Sequence, residues 1–223
     1  MTDIKLLRLL QLVSPALPIG AYSYSEGLET LVESDVITTA EQLTTWLQQE
    51  LNYGAIRLDA AVMLRAYAAV APLQHQELTH WNQWLSATRE TAELRQSSWQ
   101  MGRSLLQLFR QLEPELATGL PTLDPCNYAI AFGIVAALWQ IEPATALLGY
   151  LQGWLTHWLT TAVKLIPLGQ TTGQQVLLAL SADVLAAQEA IAALEDAELV
   201  SCSWGASLAS MNHETQYTRL FRS

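Results

Sequence analysis

The stretch "CNYAIAFGIVAALWQI" (126–141) decides the fold class. It carries no charged residue and is apolar on nearly every side. A helix at a protein surface confines its apolar residues to one stripe, so a segment apolar all round belongs inside a larger helical body. It is also too short to span a bilayer. We read it as a central buried helix, which the rest of the chain must cover.

The flanking segments supply that cover. "IKLLRLLQLV" (4–13) repeats leucine at three- and four-residue spacing, and Pro15 ends it. "GLETLVE" (27–33) resumes helical spacing. Residues 38–70 form the next helix, with Thr38 and Glu41 as a capping box and Gly54 as a candidate interruption. Residues 75–87 and 88–112 follow as a short and a long helix. Three prolines and a glycine make 113–125 a loop. A helix starts after Pro143 and stops before Pro167, "LGQTTGQ" (168–174) is a turn or a helix start, and 175–194 is the last long helix. No alternating run is bounded by turn residues, so strands are not expected. The sequence predicts an all-α fold, a single globular helical domain of eight to ten helices over residues 1–206. A polar tail, 207–223, follows it.

Composition narrows the function. Of 223 residues, 51% are hydrophobic and 14% charged, against about 25% charged in ordinary domains. With eight Trp and seven Tyr, such a surface suits packing against other proteins. The net charge of −10 disfavours a nucleic-acid partner. Cys126 and Cys202 match no metal-ligand spacing and read as free thiols in a reducing compartment. No leader pattern precedes the first helix and no stretch is long enough for a membrane span, so a cytoplasmic protein is expected.

A search for chemistry finds little. His75 and His80 lie on different faces of their helix, and His157 between Trp154 and Trp158 reads as a packed or interface histidine. There is no Walker motif and no G-x-S-x-G. We therefore expect no catalytic residue, no cofactor and no metal site. Glu26, Glu29 and Glu33 share a helical face, either as a solvated stripe or as a docking strip. Arg89, Glu93, Gln96, Gln100 and Arg103 make a second polar stripe, beside which Ser98 and Gly102 admit a close helix neighbour. Lys164, the only lysine after Lys5, stands on an apolar shoulder, as a snorkelling charge or an interface contact. The tail gathers His213, Tyr217, Arg219, Phe221 and Arg222, a content that suits docking better than fraying. In "SPALPIGAYSYSEGLE" (14–29), Pro15 and Pro18 halt the first helix and Gly20 turns the chain. This elbow either pins the helix to the core, with buried tyrosines, or faces a partner, with exposed ones.

Four segments together resemble the urease accessory protein UreF family. They are "LLQLVSPALPIGAYSYSEGLE", "TRETAELRQSSWQMGRSLL", "AVKLIPLGQTTGQ" and "ASMNHETQYTRLFRS", in that order and spread over the whole chain. The resemblance implies an all-α homodimer and a role in urease maturation through nickel insertion. In that role the protein bridges UreD/UreH and the GTPase UreG on apo-urease (UreABC) and modulates GTP-dependent nickel delivery, without being an enzyme. It also implies partner-binding residues. Met211, His213, Glu214, Tyr217, Arg219, Phe221 and Arg222 fall in the segment that meets UreD/UreH, and Lys164 on the surface offered to the GTPase. Tyr22, Ser23, Tyr24 and Glu29 fall in the N-terminal signature. The family usually has Arg after the tail Met, where this chain has Asn212. The rival reading is a helical small-molecule-binding domain or a stand-alone enzyme, which needs a pocket with converging polar groups.

Overall fold

The computed structural model describes residues 3–71 and 73–222; Met1, Thr2, Pro72 and Ser223 lie outside the described residues. The helices are α1 (Asp3–Leu12), α2 (Leu28–Glu33), α3 (Ala40–Tyr53), α4 (Ala55–Val70), α5 (His75–Ala87), α6 (Ala92–Leu112), α7 (Tyr128–Leu138), α8 (Pro143–Leu165), α9 (Gln170–Ala179), α10 (Ser181–Ala192) and α11 (Trp204–His213). Two 3₁₀ turns, Ala21–Ser23 and Asp196–Glu198, complete the secondary structure, and no strand occurs among the described residues.

The all-α expectation holds, with eleven α-helices among the described residues where eight to ten were expected. Two differences account for the count. The helix expected over 175–194 begins earlier and bends by 45° between α9 and α10. The tail is not merely polar: α11, Trp204–His213, runs into its start.

Helix α7 is the hub. Every residue from Ala129 to Ala136 is buried, and α4 and α6 pack against it most extensively, with α5 and α8 beside them. Gly133 sets the α4–α7 distance. A Cβ built there would lie 2.3 Å from the Met63 carbonyl oxygen, closer than any side chain tolerates. Gly102 does the same for α6, where a Cβ would meet the Cys126 carbonyl at 2.2 Å. The close neighbour expected at Ser98 and Gly102 is thus the start of α7.

A buried helix start leaves N–H groups without partners unless neighbours supply them. Here the Tyr128 N–H donates to the Ser98 hydroxyl at 3.2 Å, and the Asn127 N–H to Asn82 Oδ1 at 2.8 Å. Asn127 also accepts from Ser98 and donates to the Asn82 carbonyl. One polar knot therefore ties α5, α6 and α7 together.

Boundaries shift for local reasons. The capping box is Thr39 with Gln42, not Thr38 with Glu41, because Thr39 is the residue in extended conformation and the Gln42 carboxamide accepts from its N–H. Gly54 does break the long helix. A Cβ there would fall 2.6 Å from the Glu50 carbonyl oxygen. Helix α1 buries Leu9 and Leu12 but leaves Ile4, Leu6, Leu7 and Leu10 exposed.

The packing yields a paired prediction. Gly133→Ala should destabilise the protein by about 1–3 kcal/mol, the cost of overpacking a core against backbone. Gly153→Ala in α8, where the nearest atom to a new Cβ is Val13 Cβ at 3.8 Å, should be neutral or stabilise by up to about 1 kcal/mol through helix propensity. Urea unfolding of the two variants checks the order.

Candidate functional site

The elbow after α1 answers the question of its tyrosines in two ways at once. Gly20 and Gly27 both take φ above 80°, a region open to glycine at little cost. Between them the 3₁₀ turn sends Tyr22 outward, 74% exposed, while Tyr24 is buried at 8%. One tyrosine pins the elbow and the other is presented.

Glu26 and Glu29 are not on a solvated stripe. Glu26 precedes α2 in a left-handed conformation, φ 53°. Its Oε2 accepts from the indole N–H groups of Trp154 at 3.1 Å and Trp158 at 2.8 Å. His157, between those tryptophans in sequence, is half-buried. Burial pulls its imidazole below the ordinary value, and the Glu26 carboxylate opposes this. Glu29 is buried and turns to the C-terminal segment. It accepts from the Leu220 N–H at 2.5 Å and the Phe221 N–H at 3.0 Å.

That segment folds back over α2 and the elbow. The Arg222 N–H donates to the Ser23 carbonyl at 2.9 Å, and the Thr30 hydroxyl donates to Gln216 Oε1 at 2.9 Å. His213 ends α11 with no exposed surface. Its Nε2 lies 3.2 Å from Glu29 Oε2 and its Nδ1 lies 2.7 Å from Glu93 Oε2. Arg219 reaches the other Glu93 oxygen at 2.5 Å. Glu214 accepts from the Ala92 N–H at 2.9 Å, which places a carboxylate at the start of α6. Lys164, exposed at the end of α8, holds its Nζ 5.5 Å from the centre of the Phe221 ring.

The second polar stripe is corrected in the same way. Arg89 precedes α6 and is not on its face. It forms a half-buried ion pair with Asp59 of α4 at 2.9 Å, while Glu93 faces the C-terminal segment. The stripe assumed a helix from residue 88, whereas Thr91 is the cap.

Behind this surface runs a cleft of about 180 Å³. Glu26, Glu50, Asp59, Arg89, Tyr150 and His157 are among its lining residues. Among the described residues no group of three or more His, Cys, Asp or Glu is arranged to hold a metal ion.

The four sequence segments, far apart in the chain, thus meet on one face. A family model described as UreF matches residues 37–181. The chain is 60% identical to a urease accessory protein UreF of Nostoc sp., over 100% of this chain and 98% of that protein. It is 50% identical to the one of Thermosynechococcus vestitus over the full length of both. It is 42% identical to the one of Azoarcus sp., over 98% of this chain and 95% of that protein. The chain belongs to the UreF family.

In this UreF chain the twelve signature residues divide by position. Tyr22, Lys164, Met211, Glu214, Tyr217, Arg219 and Arg222 are exposed, with Tyr217 fully so at 102%. Ser23 is half-buried. Tyr24, Glu29, His213 and Phe221 are buried and hold the segment in place. The stripe named Glu93 and Arg89, but the pairing of Glu93 with His213 and Arg219 escaped sequence reading, and so did the Asp59–Arg89 pair. Their partners lie 30 to 126 residues away, and no local pattern reports such a distance.

Glu50 of α3 carries a pH signature. Burial pushes its carboxyl up, although the Ser203 hydroxyl donates to it at 2.7 Å and opposes the shift. A carboxyl raised in the folded state contributes stability below its unfolded value and loses it as pH rises through the folded value. Glu50→Gln should therefore raise Tm more at pH 8 than at pH 4.5. Thermal unfolding at both pH values checks this, and a larger gain at pH 4.5 contradicts it.

Proposed function

We propose that this chain is a non-catalytic assembly subunit of urease maturation. In this reading it acts in the cytoplasm as a homodimer, bridges UreD/UreH and the GTPase UreG on apo-urease, and modulates GTP-dependent nickel delivery. The supporting observation is the convergence of the elbow, the start of α6, Lys164 and the C-terminal segment on one face. Tyr217 stands out from that face fully exposed and Leu220 and Tyr22 largely so, and exposed Tyr beside Arg is the side-chain chemistry of binding hot spots. Tyr217, Leu220 and Met211 are assigned to UreD/UreH, and Lys164 to UreG. The exposed Ile4, Leu7 and Leu10 of α1 add an apolar strip of the kind that marks contact with another chain.

Truncation at 207 would cut α11 in two, so point substitutions are the cleaner test. Tyr217→Ala with Leu220→Ala should weaken capture of UreD/UreH by about tenfold or more, the scale of a lost hot spot, with Tm unchanged. Lys164→Glu should reduce co-elution with UreG and leave UreD/UreH capture intact. Unchanged binding in both assays would sink the assignment.

The cleft supports a second reading, a helical small-molecule-binding domain, since polar groups converge on it. Native mass spectrometry of the purified chain decides it. An adduct of constant mass supports this reading, and the bare chain mass removes it.

A further inference from the structure

The contacts of His213 do more than hold a segment in place. Both ring nitrogens face carboxylate oxygens, Glu93 at 2.7 Å and Glu29 at 3.2 Å. A neutral imidazole has one N–H and one bare lone pair, so it can donate to only one of them. The other contact then sets lone pair against lone pair at a ring that has no exposed surface, between Glu29 and Glu93 side chains that are 8% and 17% exposed. A doubly protonated ring donates to both.

The charge count agrees. The groups facing the ring are Glu29 from α2, Glu93 from α6 and, through Glu93 and the His213 carbonyl, Arg219 from the C-terminal segment. Glu214 beside it turns away to the start of α6. Lys164 and Arg222 lie beyond Phe221, around the groove that this ring lines with Tyr22. With a neutral ring, one buried and one half-buried carboxylate face one guanidinium. With a charged ring, two cations match two anions, which is the condition for burying charge at low cost.

We propose that His213 is a proton-dependent latch. The closed C-terminal segment carries a proton on His213 that the open segment gives up. Opening breaks the Leu220 and Phe221 N–H bonds to Glu29 and lifts Phe221 off Lys164, so one protonation event sets the state of both faces assigned to partners. The latch itself is a property of the lone chain; its consequence for assembly rests on the partner reading above.

The sign follows from linkage. The closed form binds one more proton than the open form, so closure is favoured at low pH and is lost by at most about tenfold per pH unit as pH rises. The test uses the full chain without partners. Hydrogen exchange of the Leu220 and Phe221 amides, normalised to intrinsic exchange rates, should show protection that falls by about tenfold or more between pH 6 and pH 8. In His213→Gln the protection should be low and independent of pH. Protection that is flat with pH in the wild type, or a wild-type slope in His213→Gln, overturns the latch. Nitrogen-15 spectra of the wild-type ring give a second readout that needs no variant to fold. Two protonated ring nitrogens at pH 6.5 are expected, and a neutral tautomer in the closed state overturns it. Because no partner is present, failure here leaves the Tyr217 and Lys164 binding assays to judge the partner reading separately.

Discussion

An apolar helix with no polar face is stable in water only when other helices cover it on every side. Helix α7 imposes that condition here, and much of the architecture answers it. Helices α4, α5, α6 and α8 surround it. The contacts are close because Gly133 and Gly102 put backbone, not side chain, at the nearest points. Burial of such a segment is favourable through apolar area, at roughly 25 cal/mol per Å² removed from water. It also forces a solution for the backbone N–H groups at its start. The Asn82–Ser98–Asn127 knot is that solution.

The same demand for pairing governs the polar interior. Arg89 and Asp59 are both largely withdrawn from water and pair with each other. Removing one partner of such a pair costs far more than the pair itself contributes, because a bare charge stays behind. Glu26 is stabilised by two indole N–H groups, and Glu29 by two backbone N–H groups and a histidine. Two carboxylates that would suit a solvated helix face are instead anchors between distant parts of the chain. The face proposed to meet partners follows from them. Glu29 fixes where the C-terminal segment lies, and that position decides that Tyr217 points outward and Phe221 inward.

This arrangement separates support from display. The buried members of the signature, Tyr24, Glu29, His213 and Phe221, set the shape of the face. The exposed members, Tyr22, Lys164, Tyr217 and Arg222, carry what a partner would meet. A substitution in the first group alters binding by moving the second, so the two groups differ in whether stability changes along with binding.

The sequence by itself determined the helical class, the buried central segment, the loop at 113–125 and the family. These depend on periodicity, on prolines and on local composition, which a short window contains. It also marked the elbow and the C-terminal segment as unusual. It did not reveal that α9 and α10 part at Leu180, since both halves keep helical spacing and only a 45° bend divides them. Nor did it reveal which glutamate meets which donor. Glu29 meets residues 184 to 192 positions away, and Glu93 meets residues 120 and 126 positions away. A carboxylate on a helix reads as solvated until folding removes the water around it. The tertiary structure alone decided that desolvation, and with it the roles of Glu26, Glu29, Asp59, Glu93 and His213.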